Sequence, residues 1–188
     1  MRLALALVIT LLASPLLAKT TLRISTLYPD GTAVVNALKA AGSEIEQQTA
    51  GRVRLRIFPG GSMGDDNAVQ RKISVGQLDG TLAQGGAFAR FYRDSQILNL
   101  PLAFRSYEEV DFVREHLDEK LVAGFAENGW TVFGPVDGGF AYLMSRNTVA
   151  SVDDLRRQKL WMPANDTGSE KAAKVFGVSP IVLSIGAF

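Results

Sequence analysis

The chain has 188 residues, 47% of them hydrophobic, with 20 Lys and Arg against 19 Asp and Glu and no cysteine. That apolar content excludes disorder and is ample for a core. The balanced charge shows no basic patch, which argues against a nucleic-acid partner, and without cysteine neither a disulfide nor lipid attachment at a Cys is available.

The N-terminus "MRLALALVITLLASPLLAKT" joins a basic start at Arg2 to an apolar run from Leu3 to Ala13, a Ser14-Pro15 break and a small Ala18. This is the pattern of a secretory signal peptide spanning residues 1–18, and the run is short for a membrane span. Cleavage after Ala18 is expected, giving an exported product that starts at Lys19. Leu16 is larger than ideal for that position, so an uncleaved anchor is the alternative.

The mature chain opens with "TLRISTL", a predicted strand, and the loop "YPDGT". Val34, Leu38, Ala41 and Ile45 then recur at helical spacing until Gly51. In "RVRLRIF", Val53, Leu55 and Ile57 alternate with Arg52, Arg54 and Arg56, which predicts a strand with one buried and one wet face. After "PGGSMG", Asp65 caps a helix carrying Val69 and Ile73, and "GTLAQ" is a third strand. Strand and helix alternating in this way predict an α/β fold with a mostly parallel sheet.

Further on, Ser106 and Glu109 form a capping box before a helix whose stripe is Val110, Val113, Leu117 and Leu121. "WTVFGPV" and "GFAYLMSR" are predicted strands, the second a long crossover. Ser151 caps a short helix, "KLWMP" is a strand, a helix near Ser169 to Phe176 ends at Gly177, and "PIVLS" starts another strand. Residues 19–146 form a first lobe that includes the crossover strand. Residues 147–188 begin a second lobe too small to hold a core alone.

Candidates for chemistry are few. "PGGSMGDD" lies between strand and helix but lacks the Gly-Lys-Ser/Thr ending of a phosphate loop, and Asp65 and Asp66 oppose an anion there. His116 is the one histidine and stands in a charged helix with no Cys/His cluster, so no metal site and no His-based triad is expected. Asn165-Asp166-Thr167 matches a glycosylation sequon, a short pattern that arises by chance. The carboxylate pairs Asp65-Asp66, Glu108-Glu109 and Asp153-Asp154 all fall at predicted helix starts, where the helix dipole accounts for them. No catalytic set and no cofactor site assemble.

Four stretches together resemble a known family: "LRISTLYPDGT", "GRVRLRIFPGGSMGDDNAVQRKISVGQLDGTL", "LNLPLAFRSYEEVD" and "SVDDLRRQKLWMP". They are similar, in order and spacing, to the extracytoplasmic solute-binding proteins of tripartite ATP-independent periplasmic (TRAP) transporters, the DctP-type family. The resemblance implies a periplasmic-binding-protein type II fold. Two α/β lobes, each a mostly parallel sheet flanked by helices, close over a small organic solute, usually an acid. It further implies delivery to the membrane permease subunits of the transporter, a periplasmic location, and no enzyme activity. The family pattern continues past Phe188, so lobe two is expected to be incomplete here and residues 19–188 alone to bind solute poorly.

In most of the family the strand after the short helix carries an arginine that clamps a ligand carboxylate, a task suited to a planar guanidinium. Trp161 stands at that position here. A branch of the family has this Trp form, including members associated with an accessory TPR protein. A neutral indole offers an apolar face and one N–H but no counter-charge. The expected ligand is therefore neutral, aromatic or rather apolar, in preference to a C4-dicarboxylate. The alternative is that Trp161 only packs the lobe. Family placement adds Tyr28, Asp66, Gln84 (beside Gly85-Gly86), Phe140, Tyr142 and Asn165 as ligand-contact candidates, with ordinary packing as the alternative for the aromatics. Two other functions stay open: a solute sensor without transport, and, with no catalytic constellation in its favour, an exported enzyme.

Overall fold

The computed structural model describes residues 19–183, and the signal-peptide expectation for residues 1–18 lies outside them. The chain gathers into two compact units. Among the described residues the first holds 19–64 and 68–82, and the second holds 65–67 and 83–183.

The first unit is built on β1 (Thr20–Thr26), β2 (Val53–Phe58) and β3 (Gly80–Leu82), arranged β2-β1-β3 with both pairings parallel. The predicted alternation fixes the register. Leu22 pairs with Leu55 and Ile24 with Ile57, so the apolar residues share one face, while Arg23 and Arg56 pair on the other. Helix α1 (Ala33–Gln48) connects β1 to β2, and α2 (Asp66–Ser74) precedes β3. Ala50 and Gly51 end α1 with positive φ, and the Gly51 N–H donates to the Glu46 carbonyl at 2.7 Å.

The buried ridge of α1 differs from the predicted one. Val35 is fully buried and Gly42 is buried, whereas Ala41 is exposed. A Cβ on Gly42 would stand 3.2 Å from the Leu55 Cβ, so this glycine lets the helix backbone settle onto β2. A count of apolar side chains misses such a contact because glycine has none.

Arg23 holds the far end of this unit. Its backbone N–H and its Nε both donate to Asp79 Oδ2 at 2.8 Å, and its terminal nitrogen reaches Asp79 Oδ1 at 3.1 Å and the Gly76 carbonyl at 2.9 Å. Hydrogen bonds from the Arg23 side chain, then from its backbone, lower the Asp79 carboxyl to about 2. A depressed carboxylate contributes stability that is present above its unfolded value of about 3.9 and lost as pH falls through the folded value. Acid titration of the unfolding midpoint is therefore expected to fall more steeply between about pH 4 and 2 in the wild type than in Asp79→Asn. Parallel curves would contradict this role.

The second unit begins with two 3₁₀ segments, Gly85–Phe88 and Arg93–Asn99, followed by α3 (Tyr107–Glu127), α4 (Val152–Arg156), β4 (Trp161–Pro163), α5 (Thr167–Val175) and β5 (Ile181–Leu183). The capping box is present in altered form. The Glu109 N–H donates to Ser106 Oγ at 3.4 Å, while the Glu109 carboxylate accepts from Arg105 N at 2.7 Å. Ser151 caps α4 as expected, accepting from the Asp154 N–H at 3.1 Å. Strands β4 and β5 pair in parallel, and beneath them Met162, Ala173 and Val178 form a small core with Leu155, Leu160 and Phe176. A second apolar cluster joins Phe88, Phe91, Tyr92, Phe125 and Trp130 through ring contacts of 4.3–6.4 Å.

Two expectations are corrected here. The predicted strands in 130–146, the crossover strand included, carry no regular secondary structure. A strand is a paired object, and among the described residues this segment has no ladder partner, so its alternation finds no sheet to join. The third strand ends at Leu82, and Gln84 instead precedes the first 3₁₀ segment in an extended conformation.

Candidate functional site

The second unit contains an open cavity of about 820 Å³. Its walls come from the two 3₁₀ segments, from the middle of α3, from the loop after β4 and from the first two turns of α5. The apolar part is Ile97, Leu100, Leu117 and Leu121. Polar side chains come from Asn67, Gln96, Asn99 and Asn165.

Backbone crowding sets the shape of one wall. Asn165 has φ +72, a left-handed conformation that asparagine tolerates better than most residues. Its carbonyl oxygen faces Gly86, where an added Cβ would come within 2.9 Å of it, and a Cβ on Gly85 would strike the Asn99 side chain at 2.4 Å. The Gly85-Gly86 pair thus lets the Asn165 backbone and the Asn99 side chain approach closely.

The charge of the lining is one-sided. Arg90, Arg93, Lys120 and Lys171 face a single carboxylate, Asp94. Among the described residues none of the four cations meets a carboxylate at salt-bridge distance. Arg90 lies over the Phe91 ring at 4.5 Å. Burial, then the negative charges of Asp94 and Glu127, raise the Tyr92 phenol, so this tyrosine stays neutral. A cleft of one sign concentrates counter-ions, and this one favours anions.

The residues singled out in the sequence are distributed unevenly. Asn165 lines the cavity, and Asp66 is the neighbour of the lining residue Asn67. Burial, then the charge of Asp65, raise the Asp66 carboxyl. Gln84 lies just before the Gly85-Gly86 wall but is not itself a lining residue. Trp161 is 39% exposed, and its neighbour Met162 takes the inward position of β4. Trp161 is thus outside the small core and is not part of the cavity lining.

Phe140 and Tyr142 were expected on one face of a strand. Without the strand they separate: the Phe140 ring packs edge-on against Tyr107 at 5.1 Å, and Tyr142 is exposed. Tyr28 belongs to the first unit, in the loop after β1, with its carbonyl accepting from Gly60 N at 2.9 Å. His116 donates from Nδ1 to the Phe112 carbonyl at 2.7 Å and lies against the Phe112 ring. Among the described residues no cluster of His, Cys, Asp or Glu has the makings of a metal site.

Sequence reasoning missed the four cations. Lys120 offered a signal, because it shares a helix face with Leu117 and Leu121 at i, i+3 and i+4 spacing.

Residues 24–187 match the family model described as "Bacterial extracellular solute-binding protein, family 7", DctP. The chain belongs to this family. The sialic acid-binding periplasmic protein SiaP of Vibrio cholerae is 25% identical over 173 residues, covering 89% of this chain and 52% of that protein. The uncharacterised protein YiiZ of Salmonella typhimurium is 27% identical over 154 residues, covering 80% of this chain and 47% of its own length. Among solved structures, a TRAP periplasmic solute binding protein of Sulfurospirillum deleyianum with bound succinate superposes with a TM-score of 0.79. It is 19% identical, covers 90% of this chain and is itself covered to 55%. At that identity the likeness shows the fold alone. The DctP chain described here thus spans about half the length of the curated relatives it matches. The DctP family is one of solute-binding proteins, not of enzymes.

Proposed function

We propose that this DctP-family chain is the solute-capturing component of a TRAP-type secondary transporter. It acts in the periplasm and delivers a small organic solute to the membrane permease subunits, with an accessory TPR protein as a further component and no catalysis of its own. The family match over residues 24–187 carries this reading, and the open cavity of the second unit supports it. In this account residues 1–18 direct export, residues 19–146 belong to lobe one, and residues 147–188 begin lobe two.

Trp161 is the residue proposed to select the ligand, together with Tyr28, Asp66, Gln84, Phe140, Tyr142 and Asn165. Enclosing a carboxylate without a counter-charge costs several kcal/mol, roughly, whereas stacking on an indole favours a planar or apolar group by about 1 kcal/mol beyond its burial. The half-exposed Trp161 has the surface for such stacking. A thermal-shift screen of dicarboxylates, keto acids and neutral aromatics on the full-length protein tests this. The wild type is expected to respond to a neutral, aromatic or rather apolar solute. Trp161→Ala should lose that response, and Trp161→Arg alone should gain dicarboxylate binding. Tight succinate binding by the wild type would overturn the role given to Trp161.

A further inference from the structure

We propose that the free edge of β2 is a docking strand for an extended acidic segment of another protein, recognised by Arg52, Arg54 and Arg56. The inference concerns the first unit alone and is independent of the solute-binding reading.

The edge is open. Strand β2 ends the order β2-β1-β3, and among the described residues no strand lies on its outer side. The Thr20 N–H donates to the Arg52 carbonyl at 2.7 Å, and in a parallel ladder the residues that bond inward alternate. Arg54 and Arg56 therefore turn their backbone groups towards β1, while Leu55 and Ile57 present theirs to the outside. Val53 begins this outer row, and its N–H is already taken by Thr49 Oγ1 at 3.1 Å. The backbone of Leu55 and Ile57 is thus a template for an added strand.

The side chains set the chemistry of that strand. Leu55 packs against Gly42 of α1, so the opposite face of β2 carries Arg52, Arg54 and Arg56, all exposed. Their two-residue spacing roots them about 7 Å apart. Among the described residues none of the three makes a hydrogen bond to a carboxylate. Arg52 donates to the Thr49 carbonyl at 3.1 Å, Arg56 lies over the Phe58 ring at 5.0 Å, and Arg54 approaches Glu46 only to 3.6 Å with 69% of its side chain exposed. Arg56 is moreover the register partner of Arg23, a like-charged pair in which Asp79 compensates Arg23 alone.

Charge decides between occupants. A second copy pairing edge to edge would set arginine against arginine, which cross-strand repulsion disfavours. A nucleic acid would meet the guanidinium groups but cannot continue a β-ladder. A strand with Asp or Glu at alternate positions does both: its carboxylates stand opposite the arginines and its backbone pairs with Leu55 and Ile57.

The test titrates three capped peptides of about seven residues into the protein at pH 7. One alternates glutamate with threonine, one has lysine for each glutamate, and one holds the same glutamates and threonines in two blocks. Anisotropy of the labelled peptide gives the affinity, and amide resonances of β2 locate the contact. The alternating acidic peptide is expected to bind at least about tenfold more tightly than the other two, with a margin that shrinks in salt, and to shift the Leu55 and Ile57 amides. Arg54→Gln/Arg56→Gln should weaken it about tenfold with an unchanged unfolding midpoint. Lys174→Gln, which removes an exposed cation of the second unit, should leave it unchanged. Equal binding of the block and alternating peptides, unmoved Leu55 and Ile57 amides, or binding that survives in the double variant would overturn the proposal. So would the absence of binding by any peptide, or tighter binding of an oligothymidylate, which would make the edge a nucleic-acid surface.

Discussion

Leu78→Ala is expected to lower the unfolding free energy by about 3 kcal/mol, the middle of the range for truncating a buried leucine. Leu78 is 1% exposed and sits between α2 and β3, immediately before Asp79. Its removal therefore deletes packing and loosens the residue that holds Arg23 across the strand ends. The cost should appear as a lower denaturant midpoint with an unchanged slope, since the surface exposed on unfolding stays nearly the same. Val75→Ala is the matched control: Val75 is 69% exposed, and its change should stay within about 0.5 kcal/mol. Equal midpoints for the two variants would remove Leu78 from the core of the first unit.

Gly124→Ala carries the second large effect, and its sign depends on Tyr92. In an open helix the substitution gains about 1 kcal/mol of helix propensity. Here a Cβ on Gly124 would stand 2.2 Å from Tyr92 Cζ and 2.5 Å from its Cε1, so the ring has to leave. Leaving sacrifices its edge-on contact with Phe125 at 5.4 Å and part of its burial, together about 3 kcal/mol. The net expectation is a loss of about 2 kcal/mol. With Tyr92→Ala already present the same glycine change should turn stabilising, by up to about 1 kcal/mol. Denaturant unfolding of the two single variants and the double variant reads this as strong non-additivity. Additive effects would mean that the ring and the glycine do not share one space.

The sequence and the structure agree where the physics is local. Strict alternation in 52–58 and the apolar positions of 21–27 gave β1 and β2 and their shared face. Caps at Ser106 and Ser151 and the glycine at 177 marked helix ends within a residue or two. Agreement fails where structure depends on a partner distant in the chain. Residues 130–146 have strand composition, but pairing decides strands, and no pairing occurs among the described residues. The ridge of α1 passes through Gly42, which hydrophobic periodicity does not register.

The candidate site was legible in outline only. Asn165, put forward by family placement, stands in the loop after β4 and lines the cavity. Lys120 and Lys171 were not legible as site residues. A lysine on a helix ordinarily means a solvated face, and only the fold shows that these two border one concave surface.

The central claim is that the protein captures a small organic solute, and native mass spectrometry of the protein as isolated from its own cells tests it most directly. The account predicts a bound species that dissociates on gentle activation and proves to be a small organic solute, neutral, aromatic or rather apolar. Protein mass alone in every native preparation, or a C4-dicarboxylate as the bound species, would contradict it.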